Sequence, residues 1–218
     1  MSKRLLIGDI HGKWREYARI LEVYQPDSSV QVGDFGVGFR GTNQAAVDQV
    51  HYAMDNFGTG DNRYIRGNHD NPEICRADPR CITDATFEEE TGTFFLGGAW
   101  SIDHAWRTEG VDWWADEELS MDELYAAIDV YEKGKPDIVI SHECPEDIVG
   151  YMMPWYRREF PSRTRDALGS MWSLHKPKLH VFGHWHSFAD QTHEGTRFIC
   201  LNELQTAMLD LDDLSITF

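Results

Sequence analysis

Nine side chains able to hold a metal ion or move a proton are gathered in five short blocks: Gly8-Asp9-Ile10-His11-Gly12, Gly33-Asp34, Gly67-Asn68-His69-Asp70, Ser141-His142 and Gly183-His184-Trp185-His186. Asp9, His11, Asp34, Asn68, His142, His184 and His186 offer carboxylate, imidazole and amide donors and no thiol. That set suits Mn, Fe, Co, Ni or Zn and argues against a structural zinc site closed by thiolates. Seven donors exceed what one tetrahedral ion takes. Two ions about 3.5–4 Å apart, sharing a carboxylate and a water, fit the number, and such pairs act on phosphate esters by clamping the attacking and leaving oxygens.

Each block follows an apolar run: Leu5-Leu6-Ile7, Val30-Gln31-Val32, Tyr64-Ile65-Arg66, Ile138-Val139-Ile140 and Leu179-His180-Val181-Phe182. A buried strand that stops and hands its next residues to a loop places them at the carboxyl edge of a sheet, where open α/β folds put ligands. Five such edges can share one site.

The order GDxHG, GD, GNHD, SH and GHxH resembles the calcineurin-like metallophosphoesterase superfamily, over matching blocks that run from Gly8 to His186. The resemblance implies Asp9, His11 and His186 at a first ion, Asn68, His142 and His184 at a second, and Asp34 bridging them. It implies an α/β fold of the two-sheet αββα sandwich type, and His69 as the group that protonates the leaving oxygen. Water held between two dications is acidified from about 15.7 to about 7, so a metal-bridged hydroxide needs no protein base. An acid for the departing alkoxide is still needed, and His has an unperturbed pKa of about 6.5. Asp70 completes the candidate catalytic pair if it orients the His69 ring; otherwise it caps its own loop. The implied reaction is hydrolysis of a small phosphodiester or phosphomonoester with two divalent ions, Mn foremost and Fe, Ni, Co or Zn also compatible.

The second block departs from GDxxDRG, the form in the serine/threonine protein phosphatases: Val37 stands where that motif has Asp, Gly38 where it has Arg, and Asp70 replaces a Glu. A protein phosphatase is therefore the alternative and a noncatalytic metal-binding scaffold a further one. Arg40 reads as an exposed loop residue.

The elements that must position these blocks alternate. Trp14, Tyr17, Leu21 and Tyr24, at three- and four-residue steps, predict an amphipathic helix ending before Pro26 with its rings in the core. Residues 44–57 read as a second helix and 63–66 as a third strand, giving βαβαβ. Residues 86–88, 93–96 and 99–102 read as a meander where the sheet changes. Ser120 with Glu123 forms a capping box for a helix through Glu132. Strands 137–140 and 178–182 flank a helix at 164–175, and three β-rich runs after Ser187 are expected to complete the second sheet.

At 218 residues and 41% apolar content, the chain is read as a single domain, 1–218. No apolar run is long enough for a membrane span, no signal peptide is visible, and Cys75, Cys81, Cys144 and Cys200 are read as free thiols in the cytoplasm. A net charge of −17 opposes the phosphate contacts that drive nucleic-acid binding, so a long nucleic acid is an unfavourable partner and a small phosphate ester a favourable one. No protein partner is indicated.

Two regions are candidates for substrate contact. In loop 103–114, Trp113 and Trp114 read as packing, with His104 and Arg107 as the substrate-binding residues. In 144–174, Tyr151, Trp155, Tyr156, Arg157, Arg158, Arg163 and Arg165 form either a cationic cap that draws in anions or a solvated loop paired with Glu159 and Asp166.

Overall fold

The computed structural model describes residues 2–41, 44–153, 156 and 160–218; Trp155, Arg157, Arg158 and Glu159 lie outside the described residues. The elements in order are β1 (Lys3–Ile7), α1 (Trp14–Tyr24), β2 (Ser28–Gln31), α2 (Gln44–Asn56), β3 (Asn62–Tyr64), α3 (Pro72–Ala77), β4 (Thr86–Glu88) and β5 (Thr93–Leu96). A short 3-10 turn (His104–Trp106) follows, then α4 (Met121–Gly134), β6 (Ile138–Ser141), α5 (Glu146–Met152), α6 (Arg163–Leu174), β7 (Leu179–Phe182), β8 (Ala189–His193), β9 (Thr196–Cys200), β10 (Thr206–Asp210) and β11 (Ile216–Thr217).

Two sheets face each other, with strand orders β11-β10-β1-β2-β3 and β4-β5-β6-β7-β9-β8. The period-two pattern of the strands decides which side chains meet. Leu6, Val30, Ile138, Ile140, Val181 and Ile199 turn inward to a core shared by both sheets. Leu5, Ile7 and Tyr64 turn outward under α1 and α2, where Tyr17, Leu21, Val50 and Met54 cover them. On the other side Phe94, Leu96 and Val139 lie beneath α4 and α6. The layers are therefore helix, sheet, sheet, helix.

Three expectations change. Residues 99–102 form no strand, because Gly98 at φ +78° turns the chain back and donates its N–H to the Arg66 carbonyl. Of the runs after Ser187, β8 and β9 join the second sheet, but β10 pairs antiparallel with β1 and takes β11 with it into the first. Tyr24 leaves the helix core and is 44% exposed. The capping box holds: Ser120 and Glu123 satisfy each other's backbone N–H at the start of α4.

Burial pushes His180 in β7 down to about 3. Its Nε2 lies 2.6 Å from Ser141 Oγ, whose proton goes to the Glu143 carbonyl, so the neutral ring is the donor. With its folded value depressed, His180 contributes stability above about pH 6.5 that is lost as pH falls, at about 1.4 kcal/mol per pH unit down toward its folded value. His180→Gln should flatten the pH dependence of the urea midpoint below about pH 6.5 by that amount. An unchanged slope would show that other groups carry it.

Candidate metal centre

The carboxyl ends of β1, β2, β3, β6 and β7 all deliver into one cleft. Two groups of donor atoms lie within 4.8 Å of one another there: Asp9, His11, Asp34 and His186, and Asp34, His142 and His184. Asp34 belongs to both. Asn68 joins the second, its Oδ1 lying 3.1 Å from His142 Nε2. All seven residues read as ligands are thus brought together.

The backbone makes this convergence possible. Gly67 lets the chain pass so close that a Cβ there would sit 2.1 Å from Asp34 Oδ1, and a Cβ on Gly183 would sit 2.1 Å from Asp9 Oδ1. His11, Asp34, His184 and His186 all have φ between 45° and 67°. Non-glycine residues seldom adopt that left-handed region, and strain of this kind concentrates where a site demands a particular direction.

The donor chemistry fits divalent cations. Asp9 and Asp34 are 0% and 1% exposed. Among the described residues they are paired with imidazoles and with no Arg or Lys. Two buried carboxylates without a fixed cation call for positive charge from elsewhere. The Nε2 atoms of His11 and His186 face each other at 2.8 Å. His142 Nδ1 lies 2.9 Å from the Val32 carbonyl; donating there fixes its tautomer and turns Nε2 toward Asp34 and Asn68, as in metal-bound histidines. Burial pushes the Asp34 carboxyl up, yet His69, His142 and His11 together hold it well below the usual carboxylate range. Burial alone would lower His142, and the Asp34 carboxylate reverses that, raising it to about 10.

A model of the calcineurin-like phosphoesterases matches residues 2–188, over which this centre is built. The chain belongs to the calcineurin-like phosphoesterase family. Members of this family are hydrolytic phosphoesterases that act on small phosphate esters with divalent metals. Among curated protein sequences none matches the chain. Among solved structures, a dimetal phosphatase from Danio rerio superposes with a TM-score of 0.61 at 14% identity, covering 95% of this chain and 91% of that one. GAP50, the anchor in the inner membrane complex of Plasmodium, superposes at 0.59 and 9% identity, covering 100% and 87%. At these identities the likeness is one of fold.

In this phosphoesterase His69 lies beside the candidate metal donors without joining either group, its Nε2 3.9 Å from Asp34 Oδ2. Arg107 reaches it, with Nη1 3.0 Å from His69 Nδ1 and Nη2 3.4 Å from Nε2. A guanidinium only donates, so in the neutral ring Nδ1, at the shorter contact, is the acceptor. Burial lowers the His69 pKa, Arg107 adds to that, and Asp34 opposes it. Asp103 grips Arg107 through two bonds of 2.6 and 2.7 Å.

Asp70 does not orient His69. Its carboxylate, fully buried, accepts the N–H groups of Phe35, Gly36, Val37 and Gly67 at 2.6–3.0 Å. It is the buckle between the Asp34 loop and the Asn68 loop, because its side chain turns back onto those amides. Asp70→Ala should destabilise the fold by about 3 kcal/mol or more, since hydrogen bonds to a charged acceptor contribute about 1.5–3 kcal/mol each. A urea midpoint unchanged from wild type, with only kcat reduced, would return Asp70 to a role beside His69.

His104 is likewise not in the cleft. Its ring packs between Trp100 and Trp113, and its Nδ1 lies 3.0 Å from the Ser101 carbonyl. Trp114 is buried and Trp113 half-buried, as packing residues should be, while Trp106 is 89% exposed. Arg40 is exposed and pairs with Asp112. Arg163 pairs with Glu118.

The cleft has a volume of about 470 Å³ and is lined by Trp100, Ile102, Tyr156, Phe160 and Trp185, and by Glu143 and Arg165. Sequence reasoning missed Glu143, whose carboxyl burial raises to about 7 against the pull of Arg165. Arg165, read as part of either an anion-drawing cap or a solvated loop, turns inward at 3% exposure toward Glu143 and Glu146, and donates to Tyr156 and to the Phe160 carbonyl. Glu203 was also missed; it lies 3.7 Å from His186 and 3.9 Å from His11 and pairs with Lys13. No helix among the described residues is long and apolar enough to cross a membrane.

Proposed function

We propose that the chain, acting as one domain over residues 1–218, hydrolyses a small phosphodiester, or a small phosphomonoester, with two divalent ions held on either side of Asp34. Asp9, His11 and His186 would hold one ion and Asn68, His142 and His184 the other. The observation that carries this reading is the membership of Asp34 in both donor groups. Manganese is the favoured metal because four of the seven donors are imidazoles, which Mg takes less readily. Four free cysteines agree with a reducing cytoplasm.

When bound, the ions supply Lewis acidity toward the phosphoryl oxygens and acidify the attacking water. The chain's own residues do the rest. His69, as imidazolium, would give its Nε2 proton to the departing oxygen and end as the neutral ring, and Arg107 holds that ring in place. Asp103 locks Arg107 in turn, and the aromatic wall of Trp100, Tyr156, Phe160 and Trp185 takes the nonreacting part of the ester away from bulk water.

The protein-phosphatase alternative is weakened at the same place. Val37, standing where that branch has the Asp that orients its His, packs into the core beside α1 and α2, and the cation Arg107 faces the His69 ring. A noncatalytic scaffold has no use for His69 held in a cleft beside a full donor set. We therefore expect higher kcat/KM on bis-nitrophenyl phosphate than on phosphoserine peptides, in an assay across Mn, Co, Ni, Zn and Mg. Phosphopeptide hydrolysis at least as efficient as diester hydrolysis would put the protein phosphatase first.

A further inference from the structure

An asparagine that serves as a metal donor must present Oδ1 and turn its NH₂ away, and only the partners of that NH₂ decide between the two orientations. Asn68 Nδ2 donates to Ser101 Oγ at 2.9 Å, Ser101 Oγ donates to Glu117 Oε2 at 2.5 Å, and Ser101 N donates to Glu117 Oε1 at 2.9 Å. All three residues are 2% exposed. With Glu117 ionised its carboxylate only accepts, so the Ser101 hydroxyl spends its proton on Glu117 and keeps lone pairs for the Asn68 amide. Oδ1 is thereby left facing His142 Nε2, 3.1 Å away. The far end is anchored too, because Arg66, two residues before Asn68, donates Nη1 to the Glu117 carbonyl at 2.6 Å.

We propose that Ser101 and Glu117 are positioning residues that lock the Asn68 amide with its oxygen toward the second ion. This rests on the two-ion reading above. Partners behind a ligand of this kind typically change metal affinity about 10–100-fold when removed.

Equilibrium dialysis against Mn²⁺ with elemental analysis tests it without reference to turnover. The wild type should bind two ions. Ser101→Ala should weaken one of them by about 10–100-fold and leave the other within about twofold, while Ser101→Thr, which keeps the hydroxyl, should restore the lost affinity. Glu117→Gln should weaken the same ion in the wild-type background but add nothing to Ser101→Ala, as a residue acting only through Ser101 must. That cycle decides the matter even if the threonine methyl is not accommodated. Two ions bound as tightly in Ser101→Ala as in wild type, or additive losses in the double variant, would overturn the proposal. Fewer than two ions in the wild type itself would instead sink the two-ion reading on which the proposal stands.

Discussion

Asp34→Asn is expected to leave the protein folded, reduce its metal content from two ions to at most one, and cut kcat/KM by about 10³-fold or more. The amide keeps the size of the carboxylate and tolerates the left-handed backbone that position 34 requires, at φ 57°. It has a single acceptor oxygen, however, and its NH₂ would face one of the two donor groups that now share the carboxylate. Lewis-acid stabilisation of a phosphoryl transition state amounts to several kcal/mol, and each 1.36 kcal/mol is tenfold in rate. The fold should survive because the buckle between the two loops is Asp70, which accepts four backbone N–H groups and belongs to neither donor group. Elemental analysis beside a thermal melt checks both halves. Two ions retained with full activity would remove Asp34 from the bridging position.

His69→Asn should separate chemistry from metal binding. Both ions should stay, because His69 belongs to neither donor group, while kcat falls by about 10²–10⁴, the usual contribution of a positioned acid. The loss should be smallest on nitrophenyl esters, whose leaving group needs little protonation. Arg107→Ala should reproduce part of the kcat loss by freeing the ring to turn, since Arg107 Nη1 lies 3.0 Å from Nδ1. Metal content measured on the same preparations decides the assignment: a site emptied by His69→Asn would make His69 a ligand.

The gathered donors were legible because each follows a buried strand at the point where a glycine or a short turn releases it, a pattern that periodicity exposes directly. What periodicity could not show was anything set by partners distant in sequence. Asp70 and His69 are neighbours in the chain, yet the Asp70 carboxylate answers to amides 33–35 residues earlier. Glu143 and Arg165 meet only because α6 packs over β6, and Ser101 finds Glu117 across a turn that reads as a strand until Gly98 is seen at positive φ. The pairing of β10 with β1 is a matter of sheet edges, which a run of β-forming residues does not specify. Arg107 was read as a substrate contact; it does line the cleft, and its place against His69 required the folded loop. The helix at Pro72–Ala77 did carry a local signal, Asn71 as cap and Pro72 at the first position, though at six residues its periodicity is too short to register.

The central claim is a pair of ions shared through Asp34, and metal stoichiometry tests it most directly. Purified protein saturated with Mn²⁺ and freed of excess should contain two ions per chain, lose its diesterase activity on chelation, and regain it as the second ion returns. At most one tightly held ion per chain in a protein that is fully active would contradict it.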